Sequence, residues 1–393
     1  MDRFFPYGRQ CIDQDDIEKV VEVLKSDYLT TGPWVDEFEE EICKTTGSKY
    51  AVVVSNGTAA LHLAALVLLK KGDKVLTTPN TFLATANSVV YAGGEVVFCD
   101  IKEDGNIDME KAYGMLKNDP SIKAFFPVHF SGNPVDQDIL KKIREELNIK
   151  ILEDCAHSIG ATFRMKDNSI VKAGSCTFSD LSILSFHPVK HITSAEGGAI
   201  TTNSKEQYDR LRKLRTHGMQ KEGFINKDMA FSEDGEENPW YYEMQEIGFN
   251  YRITDLQCAL GISQIKKLDD FVARRREIAR YYDEAFKDSP VIPLYEYNEN
   301  SSYHLYVIRV KYKKNDLTRS AFMNFLREKN IGTQVHYIPV NKQPFYTKRG
   351  HGKETIPVMD KYYEECISIP MYPMLKDSDL KYISNTILSK VKI

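Results

Sequence analysis

The sequence predicts an α/β fold: a large domain with a mostly parallel central sheet flanked by helices, then a smaller α+β domain. Three observations predict it. Short apolar runs alternate with helix-length stretches from Tyr50 to Glu153, the pattern of a layered parallel sheet. That alternation gives way near the C-terminus to a strand-like run near 303–311 followed by helices. With 393 residues, 42% of them hydrophobic, the chain has core enough for two domains, set here at 1–250, with an N-terminal arm, and 251–393.

Taken in order, Ile17, Val20, Val21 and Leu24 recur at helical spacing behind Asp13, an N-cap candidate, and give a first helix to about Lys25. The loop DYLTTGPW follows, and a second helix runs from near Trp34 to about Thr45. The strand-like runs are 51–54, 74–77, 95–98, 122–128 and 150–152. Helices are expected between them at 58–70, 81–91, 108–118 and 136–146. The strand ends Ser55, Pro79, His129 and Asp154 then cluster on one edge of the sheet, where such folds bind ligands. Residues 162–202 read as strand-rich and 205–215 as a helix. The polar stretch from His217 to Glu246, with SEDGEENP, reads as a surface loop. A helix from Thr254 leads into a long charged one, whose Arg274, Arg275 and Arg276 read as a solvated face. Further elements are a helix near 315–329, an extended piece at 333–339 and helices near 356–366 and 376–390.

Charge and cysteine content exclude several classes. A net charge of −4 gives no basic excess for a nucleic-acid backbone, so an anionic ligand should be small and held by a few placed groups. The seven cysteines form no CxxC pair and have no partner His spacing, against zinc and against a disulfide framework. They read as free thiols in a reducing compartment. MDRFFPYGRQ is not followed by an apolar core of signal-peptide length, and no run approaches the ~18 apolar residues of a membrane span, so a cytoplasmic location is expected.

Four stretches carry chemistry. In SILSFHPVKHITSAEGGAITT, Lys190 follows the apolar Ile183, Leu184 and Phe186 and precedes Gly197 and Gly198. Held at a strand end, a lysine loses hydration, its pKa falls, and its neutral amine becomes a nucleophile able to form an imine with a carbonyl. A surface or structural lysine fits the pattern about as well. SNGTAALHLA sets Ser55, Asn56, Gly57 and Thr58 between a strand and a helix, which makes either a phosphate cradle or an ordinary capped helix. LEDCAHSIGA ends a strand in Glu153 and Asp154, with His157 after them; a buried carboxylate there needs a cationic partner, although on these residues alone an ordinary loop acid beside a histidine is the simpler reading. GFNYRITDLQCALG places Asn250 and Arg252 before a helix capped by Thr254, and turn or surface roles suit both equally well. His187 and His191 have HxxxH spacing, but Pro188 breaks the helix and no HExxH glutamate is present, so no metal is expected.

Together, SNGTAAL, TPNTFLATAN, EDCAHSIGA, SFHPVKHITSAEGG, RTHGM and GFNYRITDLQCALG, in this order, resemble the DegT/DnrJ/StrS family of nucleotide-sugar aminotransferases. These are pyridoxal-phosphate enzymes of the aspartate-aminotransferase fold (fold type I). The likeness spans nearly the whole chain, from LTTGP to VHYIP. It implies that Lys190 bonds the coenzyme's aldehyde and then shuttles a proton, and that Asp154 pairs with the pyridinium nitrogen. It further implies phosphate contacts at Gly57, Thr58 and Ser185, ring stacking by Phe82, and His157 beside the phenolic oxygen. Asn250 matches a residue that reaches the neighbouring subunit's cofactor, which implies a homodimer with shared active sites. Tyr7, the loop with Thr30 and Gly32, and His336 with Tyr337 are candidates for the sugar-nucleotide site.

Within the family, SFHPVK followed by IT and EGG most resembles enzymes that aminate carbon 4 of UDP-linked 4-keto-6-deoxy sugars, including the transaminase of the pseudaminic acid pathway. L-glutamate is then the amino donor, converting the coenzyme to pyridoxamine 5′-phosphate. PWYYEMQE is similar to the same enzymes, whereas SEDGEENP matches none of the family's motifs. A dTDP- or GDP-linked sugar is the alternative substrate. The family's dehydratases have histidine in place of the lysine, a silent sugar-binding relative would not need Lys190 and Asp154, and a dinucleotide dehydrogenase would carry GxGxxG after the first strand.

Overall fold

Helices α1 (Gln14–Leu24) and α2 (Pro33–Thr46) open the computed structural model, which describes residues 3–391. Asp13 caps α1 in a capping box with Asp16, and Pro33 starts α2 one residue earlier than the apolar pattern indicates, because proline's fixed φ suits the first helical position. There follow β1 (Tyr50–Val54), α3 (Gly57–Leu68), β2 (Lys74–Thr77), α4 (Leu83–Tyr91), β3 (Glu95–Phe98), α5 (Met109–Asn118), β4 (Ile122–Phe126), α6 (Gln137–Glu146) and β5 (Lys150–Asp154). The strand-rich stretch resolves into β6 (Thr162–Arg164), β7 (Ile170–Lys172), β8 (Leu181–Ser185) and β9 (Gly198–Thr202), and then comes α7 (Lys205–Arg215).

The central sheet has seven strands in the order β1-β9-β8-β5-β4-β2-β3. Strand β9 runs antiparallel to both its neighbours, and the remaining pairs are parallel. The crossover helices cover its two faces. Leu63, Ala64 and Ala65 of α3 pack with Val52, Val54 and Leu152 in one core, while Leu76, Phe125 and Ile151 meet α5 and α6 in another. The inner strands are buried on both faces, which is why they do not show the strict apolar–polar alternation of a half-exposed sheet, whereas β3 at the edge keeps Glu95 exposed.

The stretch after α7 is mostly exposed, with only β10 (Met219–Gln220), α8 (Lys227–Ala230) and β11 (Glu243–Met244) as regular pieces. Next, α9 (Asp255–Ile265) packs against α1 and α2. The chain then forms α10 (Leu268–Phe286), β12 (Val291–Pro293), β13 (Tyr306–Val310), α11 (Arg319–Glu328), α12 (Pro344–Thr347), α13 (Pro357–Glu365), β14 (Cys366–Ile369) and α14 (Asp377–Leu388). Strands β12, β13 and β14 make an antiparallel sheet whose core joins α10, α11 and α14. Helix α11 starts later than its apolar pattern suggests, where the Thr318 hydroxyl caps the Ala321 amide.

One sequence expectation is overturned here. Arg274, Arg275 and Arg276 do not form a solvated face: Arg275 is completely buried. It lies on the apolar stripe Leu268, Val272, Arg275, Ala279, Tyr282, Phe286, whose spacing of three and four puts it on the inward side of α10. No helix among the described residues is long and apolar enough to cross a membrane.

Candidate active site

The C-terminal ends of β1, β4, β5 and β8 open into a cleft of about 900 Å³. Gly57, Thr58, Phe82, Asp154, His157, Ser185, Lys190, Tyr7, His336 and Tyr337 all line it. The open edge of the parallel strands gathers side chains from loops far apart in sequence, as the doubly wound topology requires.

The start of α3 forms one wall. The Asn56 side chain accepts from the Ala59 amide at 2.8 Å, and the Asn56 carbonyl takes the Ala60 amide at 3.1 Å. The Gly57 and Thr58 amides, first in the helix, have no such partner by geometry, so the positive helix end faces the cleft with free donors. The Ser185 hydroxyl lies beside Gly57, and Thr58 lines the same wall of the cleft. Glycine is needed at 57 because a Cβ there would come within 3.0 Å of Cβ of Ser185. Gly198 is tighter still, since its Cβ would lie 2.6 Å from the Asn56 backbone.

Asp154 ends β5 and is buried. Its Oδ2 accepts from the Thr85 hydroxyl at 2.6 Å and its Oδ1 from the Ala156 amide at 3.0 Å. Burial pushes its carboxyl up, opposed by these two donors and by the Lys190 charge. Lys190 sits in the turn after β8, half-buried, and loss of hydration pulls its amine from the usual 10.5 down to about 8, with Asp154 opposing. Its Nζ lies 3.5 Å from Nε2 of His304.

His157 is hydrogen-bonded through Nε2 to the Tyr337 hydroxyl at 3.1 Å, and its Nδ1 has no partner among the described residues. Burial and the Lys190 charge hold His157 neutral, well below the usual histidine range. Burial likewise pulls His336 down to about 3, and its ring lies 5.2 Å from that of Tyr7. Phe82 is 58% exposed at the cleft, its ring 6.2 Å from that of Tyr337.

Three sequence candidates lie outside the cleft lining of the single chain. Thr30 is exposed and bridges to Thr254; the Gly32 amide donates to Asp255 at 2.8 Å, tying the loop to the start of α9. Asn250 is exposed and pairs with Thr216. Conversely, the sequence reading passed over Thr85 and His304. Thr85 carries a local signal, lying one helical turn after Phe82 on α4; His304, in the segment before β13, carries none.

The residues present fit pyridoxal 5′-phosphate. The helix-end amides and hydroxyls suit a phosphate dianion, and the half-buried amine suits an aldehyde. Asp154, a buried carboxylate whose hydrogen-bond donors are both neutral, suits a cationic ring nitrogen.

The pattern of the DegT/DnrJ/EryC1/StrS aminotransferase family matches residues 10–388. A UDP-4-amino-4,6-dideoxy-N-acetyl-β-L-altrosamine transaminase from Campylobacter jejuni (serotype O:23/36, strain 81-176) is 40% identical over 98% of each chain. The spore coat polysaccharide biosynthesis protein SpsC of Bacillus subtilis is 36% identical over 99% of this chain and 97% of that one. Among solved structures, Helicobacter pylori PseC, an aminotransferase involved in the biosynthesis of pseudoaminic acid, superposes with a TM-score of 0.89 at 31% identity over 99% of both chains. The PLP-form of the putative sugar aminotransferase Spr1654 from Streptococcus pneumoniae superposes with a TM-score of 0.85 at 26% identity, over 98% of both. By the extent of these matches, the chain belongs to the DegT/DnrJ/EryC1/StrS family of aminotransferases.

Proposed function

We propose that this enzyme uses pyridoxal 5′-phosphate to move an amino group from L-glutamate to the 4-keto carbon of a UDP-linked 4-keto-6-deoxy-N-acetylhexosamine, a step toward an amino sugar of surface glycans such as pseudaminic acid. The observation that carries the reading is the pairing, in one cleft, of an amine brought to about 8 with a buried carboxylate. The choice of sugar is supported by the names of the Campylobacter and Helicobacter relatives.

When bound, the coenzyme supplies a protonated ring that accepts the electron pair left as a proton leaves the substrate carbon. Lys190 holds the coenzyme and, once free, carries that proton between carbons as a general base and then acid. Asp154 keeps the ring nitrogen protonated, with Thr85 and the Ala156 amide fixing its oxygens. The start of α3, Thr58 and Ser185 bind the phosphate. Phe82 would flank the ring, and His157, held neutral, would be the partner of the phenolic oxygen. Tyr7, His336 and Tyr337 line the sugar side.

A homodimer with shared sites is part of this reading. It is supported by the exposure of Asn250 and by Ile225, Trp240 and Ile247, each more than two-thirds exposed at 77%, 74% and 78%. Thr30, which is exposed, and Gly32 in the same loop are assigned to the substrate side of the assembled dimer. We place the enzyme in the cytoplasm, a reading supported by the seven free thiols. The large domain, 1–250, then holds the coenzyme, and 251–393 closes the cleft with His336 and Tyr337.

Incubation with L-glutamate and UDP-, dTDP- and GDP-linked 4-keto sugars, with products identified by mass and NMR, tests the proposal. A UDP-linked 4-amino sugar is expected. Turnover of only dTDP- or GDP-sugars would reject the nucleotide assignment.

A further inference from the structure

His304 does not line the cleft, yet its Nε2 is the hydrogen-bond partner of Lys190 Nζ, at 3.5 Å. It is a buried side chain, and its Nδ1 has no partner among the described residues. Packing alone would favour phenylalanine or leucine there, because burying an unpaired ring nitrogen is costly. The polar contact that the ring does make is the one between its other nitrogen, Nε2, and Lys190.

The surroundings of His304 fix it in place. Its ring lies 4.4 Å from that of His157 and 5.6 Å from that of His191, which is hydrogen-bonded in turn to the Ser302 carbonyl at 3.0 Å. Arg275 reaches in from α10. Its Nη1 donates to the carbonyls of Tyr303 and His304, both at 3.2 Å, and of Met371 at 3.0 Å. The hydrogen bonds of this wholly buried guanidinium among the described residues thus go to backbone carbonyls, which lock the His304 segment to α10 and to the chain after β14.

We propose that His304 is a positioning residue for the reacting amine: it accepts a hydrogen bond from Lys190 Nζ, and Arg275 clamps its backbone so that the amine keeps its direction into the cleft. This rests on the proposed function only in taking Lys190 as the reacting group. The titratable groups facing that amine are Asp154 and the imidazoles of His157, His191, His304 and His336. Burial holds all four rings neutral, so His304 acts as an uncharged acceptor. Such an acceptor stabilises the ammonium more than the amine, and its loss makes Lys190 easier to deprotonate.

The test uses the full-length chain freed of coenzyme, with Lys190 acylation by acetic anhydride followed against pH by peptide mass spectrometry. The wild-type profile is expected to be half-maximal at about 8. His304→Phe should move it down by roughly one unit, and His304→Gln, which keeps an acceptor, should restore it. His304→Leu serves where phenylalanine does not fold, as judged by circular dichroism. Arg275→Lys, which keeps the charge but whose shorter side chain draws the donor back from the carbonyls of Tyr303, His304 and Met371, should shift the profile the same way although it does not touch the amine. A Phe or Leu profile that superimposes on the wild type overturns the proposal. Failure of the proposed function is seen separately, as coenzyme that does not attach to Lys190.

Discussion

The Thr85 hydroxyl of α4 donates a 2.6 Å hydrogen bond to Oδ2 of Asp154 at the end of β5, so that a helix and a strand distant in sequence jointly set the direction of one carboxylate. Replacing Thr85 by valine keeps the shape and removes the donor, which raises the Asp154 carboxyl further. At ~1.5 kcal/mol for a hydrogen bond to a charged group, coenzyme affinity should weaken about tenfold, measurable by equilibrium titration of the coenzyme's absorbance.

Asp154→Asn retains the hydrogen-bonding frame and removes the charge. Turnover should fall by about two orders of magnitude, as for loss of other preorganised electrostatic groups, while the fold and the melting temperature are kept. Single-turnover kinetics with glutamate separates this from weaker coenzyme binding.

Coenzyme capture should depend on pH through Lys190. Its amine is pulled down to about 8, so it is protonated and inert below that value and nucleophilic above it. The rate of pyridoxal 5′-phosphate uptake by the coenzyme-free chain should rise with pH, be half-maximal near 8, and level off above. A rate still climbing through pH 10 would mean that the amine is ordinarily hydrated.

Gly198→Ala tests the packing beneath the phosphate site. The added Cβ would meet the Asn56 backbone at 2.6 Å, and backbone cannot swing aside as a side chain does. A loss of about 1–3 kcal/mol in unfolding free energy is expected, together with weaker phosphate binding at the start of α3.

Much of this was legible in the sequence, for physical reasons that differ by element. Buried strands such as β1 and β4 carry apolar runs, 51–54 and 124–126, and α3 and α6 follow them with the capping residues Asn56 and Asp136 at their starts, so the alternation is plain. The reversed direction of β9 is not, because a strand's residues carry no mark of its polarity. Strands β12 and β14 were missed; each has four residues or fewer and depends on pairing with β13. The burial of Arg275 is hidden in the sequence by its two charged neighbours, Arg274 and Arg276, and shows only in its place on the α10 stripe. Lys190 and Asp154 were found through their motifs, whereas His304 sits in an irregular segment, and only the fold brings it to the amine.

If the site is shared between subunits, two inactive variants should complement each other. Lys190→Ala and Asn250→Ala mixed and reassembled form hybrid dimers with one intact site, and about a quarter of wild-type activity should return for random pairing. Mixtures no more active than their components would place Asn250 outside the neighbouring site.

The most direct measurement is borohydride reduction of the coenzyme-loaded protein followed by peptide mass spectrometry. The coenzyme's mass should appear on the peptide carrying Lys190 and be lost in Lys190→Ala. Attachment to another side chain, or no attachment, would contradict the account.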